Sequence, residues 1–450
     1  MSDTFDLVVI GAGMAGISAA NKCAAQGWRV GIVDELPYGG TCALRGCDPK
    51  KILRRGAEVI DAAQLMSGTG IDQNGMGLDW PALMERKRGF TDRVPKRVEN
   101  ELTGNGVTTF HGHAEFTGTN ELTIDGTAHR SDRFLIASGA TPRPLDFPGA
   151  GNLIDSTGFL DLDQLPQKIV FIGGGFISFE FAHIAARAGA DCVIIDRGPR
   201  PLREFDPDLV ELLISRTEQA GICVLRNTTV TGVEATPAGH RVGIDTTGSA
   251  GSIDTGLVVH GAGRVPNLAS LHLDAAGIAS GSRGVTVAAH LQSTTNPAVY
   301  AAGDAADTSG RPLTPVAVFE GKVAASNMVR GTTTAPDYTG VPTTVFTIPE
   351  LNRVGLLEHE AVGNGHDIAV HFTDTSHWYS TYRVAETTAA AKIIIDTASD
   401  QILGAHLLGP DYSELINTFG LAIKLGLTTR QLKSATATYP SLGSDLGSLL

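Results

Sequence analysis

The chain has 450 residues, of which 42% are hydrophobic and 18% charged, so it is long enough for two or three globular domains. Its 35 basic and 48 acidic residues give a formal charge of −13, which argues against a broad surface for nucleic acid. Acids near the N-terminus, the absence of a long uncharged apolar run and only five cysteines predict a cytoplasmic protein with no signal peptide and no membrane span.

The first predicted elements, within residues 5–35, are a strand, a tight glycine turn, a helix and a second strand. Gly11, Gly13 and Gly16 occupy the turn, and Asp34 ends the second strand. The first glycine permits the turn, the second lets the backbone approach a pyrophosphate, the third allows close helix packing, and the acid can bind ribose hydroxyls. With all four parts in register, the segment predicts a dinucleotide-binding unit rather than a structural glycine-rich turn.

Two cysteines, Cys42 and Cys47, follow this unit. A zinc site needs about four ligands, and no second Cys pair or His pair at ligand spacing accompanies them, so no metal site is predicted. In a regular helix, residues five apart have Cα atoms roughly 8.6 Å apart, beyond the ~7 Å that a disulfide spans. Gly46 and Pro49 permit the irregular helix start that a reducible disulfide would require here.

Basic residues continue the same segment, namely Lys50, Lys51, Arg54 and Arg55. Positive charge near a helix N-terminus stabilises a thiolate, so at least one cysteine is expected to ionise at neutral pH. A solvated basic helix face is the alternative interpretation, and the two are compatible.

A second copy of the nucleotide-binding unit begins about 160 residues after the first. Gly173 and Gly175 hold the first two glycine positions, while Ser178 replaces the third, which predicts slightly looser helix packing. Two such units indicate two dinucleotides, with electrons moving between them.

The end of the second strand in this copy carries conflicting signals for its nucleotide. Asp196 would favour NADH through the ribose 2′-hydroxyl, whereas Arg197, Arg200 and Arg203 would bind the 2′-phosphate of NADPH. The three arginines favour NADPH, with NADH possible. A solvated charged loop is the alternative.

With the motifs above, the chain resembles the flavin-dependent pyridine nucleotide–disulfide oxidoreductases, the group of glutathione reductase, dihydrolipoyl dehydrogenase and mercuric reductase. The resemblance covers essentially the whole chain. Its further segments are ASGA (137–140), GAGRVPN (261–267), VYAAGDAAD (299–307), LTPVAVFEGKVAA (313–325), FTIPELNRVG (346–355) and ILGAHLLGPDYSELIN (402–417).

This resemblance implies an α/β fold with two Rossmann-like dinucleotide-binding domains and an α+β C-terminal dimerisation domain. The FAD-binding domain would comprise residues 1–145 and 272–335, the NAD(P)-binding domain residues 146–271, and the dimerisation domain residues 340–450. It also implies a homodimer whose active sites include residues from both chains.

The resemblance further implies individual roles. Cys47 would face the flavin, Cys42 would be the interchange thiol that meets the substrate, and Lys51 and Glu180 match the pair near flavin N5. Asp304 would contact the ribityl chain, and the helix starting near Thr314 would point its N-terminus at the pyrimidine edge. The residues expected to bind FAD or NAD(P)H are Gly11, Gly13, Gly16, Asp34, Gly40, Thr41, Ala114, Ser138, Gly139, Asp304, Thr314, Pro315, Val316, Ala317, Gly173, Gly175, Ser178, Arg197, Arg203, Gly263 and Arg264.

The C-terminal segment YPSLGSDL departs from the family pattern, which has a His-Glu pair that protonates the leaving thiolate. Tyr439 stands where histidine is expected and Ser444 where glutamate is expected. A free tyrosine has a pKa of about 10, against about 6.5 for histidine, so Tyr439 is a poor base that can still donate a proton. Asp445, next door, is either a contributor or a surface aspartate.

Mercuric reductases, which the chain resembles here, also have a tyrosine at this place, but they carry a C-terminal cysteine pair as well. The last cysteine in this chain is Cys223, which argues against mercury as the substrate. The same absence argues against the high-molecular-weight thioredoxin reductases.

The leading hypothesis is an FAD-dependent reductase that passes a hydride from NAD(P)H to flavin, and then electrons to a Cys42–Cys47 disulfide and a small disulfide acceptor. The first alternative sends the electrons to a quinone, a metal ion or another electrophile, because the His-Glu pair is absent. Dihydrolipoyl dehydrogenase and a redox-responsive binding protein are two further alternatives. None of these hypotheses involves nucleic acid or a membrane.

Overall fold

The computed structural model describes residues 4–450. Its helices are α1 (Met14–Ala24), α2 (Gly40–Arg45), α3 (Cys47–Leu65), α4 (Trp80–Thr91), α5 (Val94–Gly104), α6 (Ser156–Phe159), α7 (Phe176–Arg187), α8 (Pro207–Gln219), α9 (Thr314–Arg330), α10 (Glu358–Gly363), α11 (Tyr379–Tyr382), α12 (Tyr412–Leu425) and α13 (Thr429–Lys433).

The strands are β1 (Thr4–Phe5), β2 (Leu7–Ile10), β3 (Val30–Asp34), β4 (Thr108–His111), β5 (Ala114–Gly118), β6 (Glu121–Ile124), β7 (Thr127–Ser131), β8 (Phe134–Ile136), β9 (Ala140–Pro142), β10 (Lys168–Ile172), β11 (Asp191–Ile195), β12 (Ile222–Leu225), β13 (Thr228–Thr236), β14 (Gly239–Thr246), β15 (Ser249–Thr255), β16 (Leu257–His260), β17 (Arg264–Pro266), β18 (Ser280–Gly281), β19 (Gly284–Thr286), β20 (Val299–Ala301), β21 (Ala306–Asp307), β22 (Thr343–Val345), β23 (Glu350–Gly355), β24 (Ile368–Asp374), β25 (Ala390–Asp396) and β26 (Ile402–Gly409).

The chain divides into two compact units. The first comprises residues 4–51, 85–143 and 263–338, and the second comprises residues 52–84, 144–262 and 339–450.

The first unit is built around a five-stranded parallel sheet in the order β20-β8-β2-β3-β4. Its central strand β2 is buried at every residue, as expected when a parallel sheet is covered on both faces. Helix α1 packs on this sheet through small side chains, including Ala19 and Ala20, which allow the helix to lie close. A four-stranded sheet, β1-β7-β6-β5, completes the unit's larger sheets.

The second unit contains a four-stranded parallel sheet, β12-β11-β10-β16, with the apolar faces of α7 and α8 in its core. An antiparallel five-stranded sheet, β22-β23-β26-β25-β24, packs against α12. The predicted α/β fold class with Rossmann-like parallel sheets is therefore confirmed. Across residues 4–450, every helix is too short or too polar to cross a bilayer.

Candidate active site

The glycine turn after β2 has a backbone that only glycine fits. Gly11 has a φ of +105°, and a Cβ there would overlap the carbonyl oxygen of Ala137. A Cβ on Gly16 would overlap the carbonyl oxygen of Gly11, so the helix lies directly on the turn. Gly13 is the N-cap of α1 and no side chain caps the helix, which leaves the first N–H groups for phosphate oxygens.

Asp34 braces this turn. Its Oδ2 accepts a hydrogen bond from the Ala12 N–H at 2.7 Å, and its Oδ1 accepts one from the Leu36 N–H at 2.8 Å. Burial raises the pKa of Asp34, and the two backbone hydrogen bonds oppose that rise. The carboxylate thus orients the turn itself, and its contact with a ribose stays a prediction.

The cysteine-bearing segment starts against the same turn. Gly40, the first residue of α2, has a φ of +67°, and a Cβ there would lie 2.5 Å from the Cα of Gly13. Glycine at both positions therefore lets the two backbones touch. Thr41 and Cys42 directly follow Gly40, so they begin at this contact with the predicted pyrophosphate turn.

The helix is interrupted between the two cysteines, as their spacing requires. Helix α2 ends at Arg45 and α3 begins at Cys47, with Gly46 between them. A Cβ on Gly46 would lie 2.9 Å from the carbonyl oxygen of Thr41, so a larger residue would force the chain apart. Because the cysteines lie in different helices, regular helical geometry does not separate them.

The two cysteines form no disulfide, and their sulfurs are joined by a hydrogen bond. The pKa of Cys42 is raised, most strongly by the hydrogen bond to Cys47 and less by burial and by charge on Cys47. The Cys47 Sγ lies 3.7 Å from the Oγ1 of Thr314, the first residue of α9. Cys42 is thus the protonated member of the pair, and both thiols lie at the positive end of a 17-residue helix.

Several other residues predicted to bind a cofactor lie in this unit, and those near Ser138 and Asn267 are joined by hydrogen bonds. Ser138 Oγ donates to the Asn267 carbonyl at 2.7 Å, and the Asn267 N–H donates to the Gly139 carbonyl at 2.9 Å. The Arg264 guanidinium donates to the Ala140 carbonyl. Gly263 has a φ of +102°, Ala114 begins β5 and is buried, and Pro315, Val316 and Ala317 form the first turn of α9.

Asp304 lies in a short 3₁₀ turn, Gly303–Ala305. Burial raises its pKa, and the nearby Arg264 charge opposes that rise. Glu320, which sequence reasoning missed, holds this loop: its carboxylate accepts from the Gly303 N–H at 2.6 Å and from the Tyr338 hydroxyl at 2.6 Å. The sequence signal was a carboxylate inside an otherwise apolar stretch of α9.

The residues present fit an FAD dinucleotide. The turn around Gly11 and Gly16 has no room for side chains, α1 lacks a side-chain cap, and the buried carboxylate of Asp304 supplies an acceptor for hydroxyl groups.

The second unit repeats the glycine turn. Gly173 has a φ of +105°, a Cβ there would lie 2.6 Å from the Cα of Ala262, and Gly175 caps α7 without a side-chain bond. Ser178 does not loosen the packing as expected. It is fully buried, and a Cβ on Gly261 would overlap its hydroxyl, so a glycine on the facing strand end makes room for the serine.

The loop after β11 presents two guanidinium groups beside a buried carboxylate. Asp196 is 7% exposed and accepts from the Gly198 N–H at 3.2 Å. Arg197 and Arg203 are both exposed, and the Arg203 side chain lies over Gly198. These residues fit a nicotinamide dinucleotide. The guanidinium groups of Arg197 and Arg203 are exposed, whereas the Asp196 carboxylate is buried.

Glu180 is buried in the second unit and accepts from the Phe346 N–H at 2.7 Å. Lys51 belongs to the first unit. Their pairing stays a prediction.

The C-terminal residues that replace the family's His-Glu pair differ in their surroundings. Tyr439 is 79% exposed. Ser444 Oγ donates to the Ser441 carbonyl at 2.5 Å and accepts from the Ser441 N–H at 3.3 Å, so it serves a local turn. Asp445 is half-buried and accepts from the Ser380 hydroxyl, which gives it a structural partner within the second unit.

Comparison with known proteins identifies the family. Residues 5–321 match the family model described as pyridine nucleotide-disulphide oxidoreductase, and residues 341–449 match the dimerisation domain of that family. The chain is 31% identical to glutathione reductase of Burkholderia cepacia, over 99% of this chain and 98% of the relative. It is 32% identical to dihydrolipoyl dehydrogenase of Chlamydia muridarum, over 98% of this chain and 95% of the relative. It is 29% identical to mercuric reductase of Lysinibacillus sphaericus, over 99% of this chain and 82% of the relative.

These matches confirm the family, the enzyme class and the cofactor types indicated by the two glycine turns and the cysteine pair. The chain therefore belongs to the pyridine nucleotide-disulphide oxidoreductase family, as an FAD-dependent NAD(P)H disulfide oxidoreductase that carries the family's dimerisation domain.

Proposed function

We propose that this enzyme uses NADPH to reduce a small, carboxylate-bearing disulfide through Cys42 and Cys47. The observation that carries the proposal is the hydrogen bond between the two thiols at the start of α9. FAD supplies the two-electron link, accepting hydride from NADPH and passing the electrons onward.

The hydrogen bond provides a path for the Cys42 proton to reach the sulfur of Cys47. Cys42 attacks the substrate disulfide while its proton passes along the hydrogen bond to Cys47, which is the thiolate of the resting pair. One substrate thiolate leaves and takes up that proton. Cys47 then attacks the sulfur of Cys42, expels the second substrate thiolate and forms the Cys42–Cys47 disulfide. Two electrons and one proton from solvent then return the pair to a Cys42 thiol and a Cys47 thiolate, and a second solvent proton neutralises the second substrate thiolate.

A positive charge beside the pair supports an anionic acceptor. Arg97, in α5, is exposed, and its charge lowers the pKa of Asp48 against the larger effect of burial. Asp48 directly follows Cys47, so this guanidinium acts on the residue adjacent to the cysteine pair. This favours a carboxylate-bearing disulfide, such as the substrate named by the glutathione reductase relatives, over an uncharged lipoamide.

The proposal is tested by anaerobic reduction with NADPH. The wild type is expected to develop a long-wavelength band between a Cys47 thiolate and the flavin, and Cys47→Ser is expected to lack it. Oxidised glutathione should then reoxidise the wild type faster than lipoamide does. A Cys47→Ser enzyme that keeps the band would contradict the assignment of Cys47.

A second candidate function sends electrons to a quinone or another electrophile. It is favoured by the residues that replace the His-Glu pair, since Ser444 is engaged in a local turn. If Tyr439 donates the proton to the leaving thiolate, then Tyr439→Phe will lower disulfide turnover and leave quinone turnover unchanged.

We also infer that NADPH is preferred over NADH. Asp196 is buried and bonded to Gly198, whereas Arg197 and Arg203 are exposed. Arg203→Ala is expected to raise the KM for NADPH by about ten- to a hundredfold, since a charge-assisted hydrogen bond contributes about 1.5–3 kcal/mol. The KM for NADH should stay unchanged in the same steady-state assay.

The matched control for this measurement is Arg226→Ala. Arg226 is a partly exposed arginine of the same unit, ion-paired with Glu211 at 2.8 Å, and its loss should change neither KM. Equal effects of Arg203→Ala on both nucleotides would remove Arg203 from phosphate recognition.

The dimerisation domain supports a homodimer as the working assembly. Sedimentation equilibrium of the FAD-loaded protein measures this, and a monomer at micromolar concentration would contradict it.

A further inference from the structure

A short linker in the second unit, residues 346–349, joins β22 to β23, and two of its N–H groups bond to side chains of helix α7. Phe346 donates its N–H to Glu180 Oε1 at 2.7 Å, and Ile348 donates its N–H to His183 Nδ1 at 3.2 Å. Glu180 and His183 are three residues apart on α7, so they lie on the same face, one helical turn apart. Two acceptors on one helix thus meet two N–H donors on one linker.

The carbonyl side of the linker is held as well. Arg54 donates from Nε to the Phe346 carbonyl at 2.9 Å and from Nη2 to the Thr347 carbonyl at 2.8 Å. The same guanidinium pairs with Glu350 at 3.1 Å. The linker is therefore held on its N–H side by α7 and on its carbonyl side by Arg54 of α3, with Arg187 of α7 also donating to the Ile348 carbonyl at 3.4 Å.

The partners of His183 determine its protonation. Nδ1 receives the Ile348 N–H and must carry a lone pair, so the ring proton is on Nε2, which lies 2.9 Å from the Thr217 Oγ1. The Thr217 hydroxyl in turn donates a hydrogen bond to the Leu213 carbonyl at 2.7 Å. Each group in this chain therefore has one defined donor or acceptor role.

The surroundings keep the imidazole neutral. His183 is fully buried, and burial is the main reason that its pKa lies well below the ordinary value. The charges of Arg187, Arg216 and Arg54 lower it further. A proton on Nδ1 would oppose the Ile348 N–H, so the neutral ring is the form that can hold the linker.

We propose that His183 is a positioning residue for Glu180: by fixing Ile348, it fixes the linker whose Phe346 N–H orients the Glu180 carboxylate. The proposal rests on the role of Glu180 near flavin N5 that the family resemblance implies. His183 itself touches no reacting atom. Its effect is to keep the Glu180 carboxylate in one orientation while hydride is transferred.

The test compares two variants of the FAD-loaded enzyme. His183→Leu is similar in size but accepts no hydrogen bond, whereas His183→Asn keeps an oxygen near the position of Nδ1. In His183→Leu, we expect amide hydrogen exchange at Phe346 and Ile348 to speed up by about tenfold, because a buried N–H has lost its acceptor. The rate of flavin reduction at saturating NADPH should fall by about tenfold as Glu180 loses its orientation. The KM for the disulfide should not change.

His183→Asn should keep both rates within about threefold of the wild type, since it retains the acceptor. His371→Leu, which alters an exposed histidine of β24, serves as the control and should change neither. Unchanged exchange at Phe346 in His183→Leu would overturn the proposal.

Glu180→Gln separates this proposal from the role of Glu180. If Glu180→Gln leaves flavin reduction unchanged, the family-implied role fails, while the exchange data still decide whether His183 positions the linker. If His183→Leu does not fold, Thr217→Val removes the acceptor of the Nε2 proton. It should then speed exchange at Ile348 in the same direction but by less, and no change there would also count against the proposal.

Discussion

Cys42→Ala is expected to abolish disulfide reduction, lowering turnover by about 10⁴-fold or more, because the attacking thiol is gone and no exchange step can start. The flavin and nicotinamide sites should remain, so NADPH should still reduce the flavin. Steady-state turnover with oxidised glutathione and with a quinone measures both halves of this prediction.

The matched control is Cys223→Ala, which removes an exposed cysteine outside the pair and should keep full disulfide turnover. Full quinone turnover in Cys42→Ala, with no disulfide reduction by the wild type, would favour the second candidate function. Undiminished disulfide reduction by Cys42→Ala would end the proposal that this pair carries the electrons.

Asp61→Ala should cost the second unit about 3–5 kcal/mol of unfolding free energy, the range for breaking a buried ion pair. Asp61 lies 2.6 Å from an Arg187 nitrogen and 3.2 Å from an Arg216 nitrogen, and all three side chains are at most 7% exposed. Removing the carboxylate leaves Arg187 without its carboxylate partner and close to Arg216, so the cost includes repulsion between two buried cations.

Urea unfolding of the FAD-loaded protein, followed by far-UV circular dichroism, measures this loss. The control is Asp254→Ala, because Asp254 pairs with Arg241 at 2.8 Å on the surface, where solvent screens the interaction. Its midpoint should match that of the wild type. An Asp61→Ala protein with a wild-type midpoint would show that water or a rearranged Glu386 compensates the arginines.

Much of the site could be predicted because it depends on neighbours in sequence. The turns at Gly11 and Gly173 can be predicted from the local spacing of glycines, because a positive φ next to a strand end disfavours other residues. The helix break at Gly46 follows from the fixed pitch of an α-helix and the reach of a disulfide. Both inferences need only backbone geometry over a few residues.

The structure changed the expectations for Asp34 and Ser178 and gave Ser444 a local role, and only the change at Ser178 comes from a distant segment. Asp34, predicted to bind ribose, also braces the turn through two backbone N–H groups. Ser178 is accommodated in the buried contact because residue 261, far along the chain, is a glycine with no Cβ to overlap the serine hydroxyl. Ser444 closes a turn of its own.

Local pattern established the two nucleotide turns, the cysteine pair and the break between its helices, because steric limits on φ and ψ act within a few residues. Tertiary packing alone chose the partners of the buried polar groups: Ile348 for His183, 165 residues away, and Arg187 for Asp61, 126 residues away. Each of these groups requires some partner once it leaves water, but which one it meets depends on how helices and sheets pack, and hydrophobic periodicity does not encode that choice.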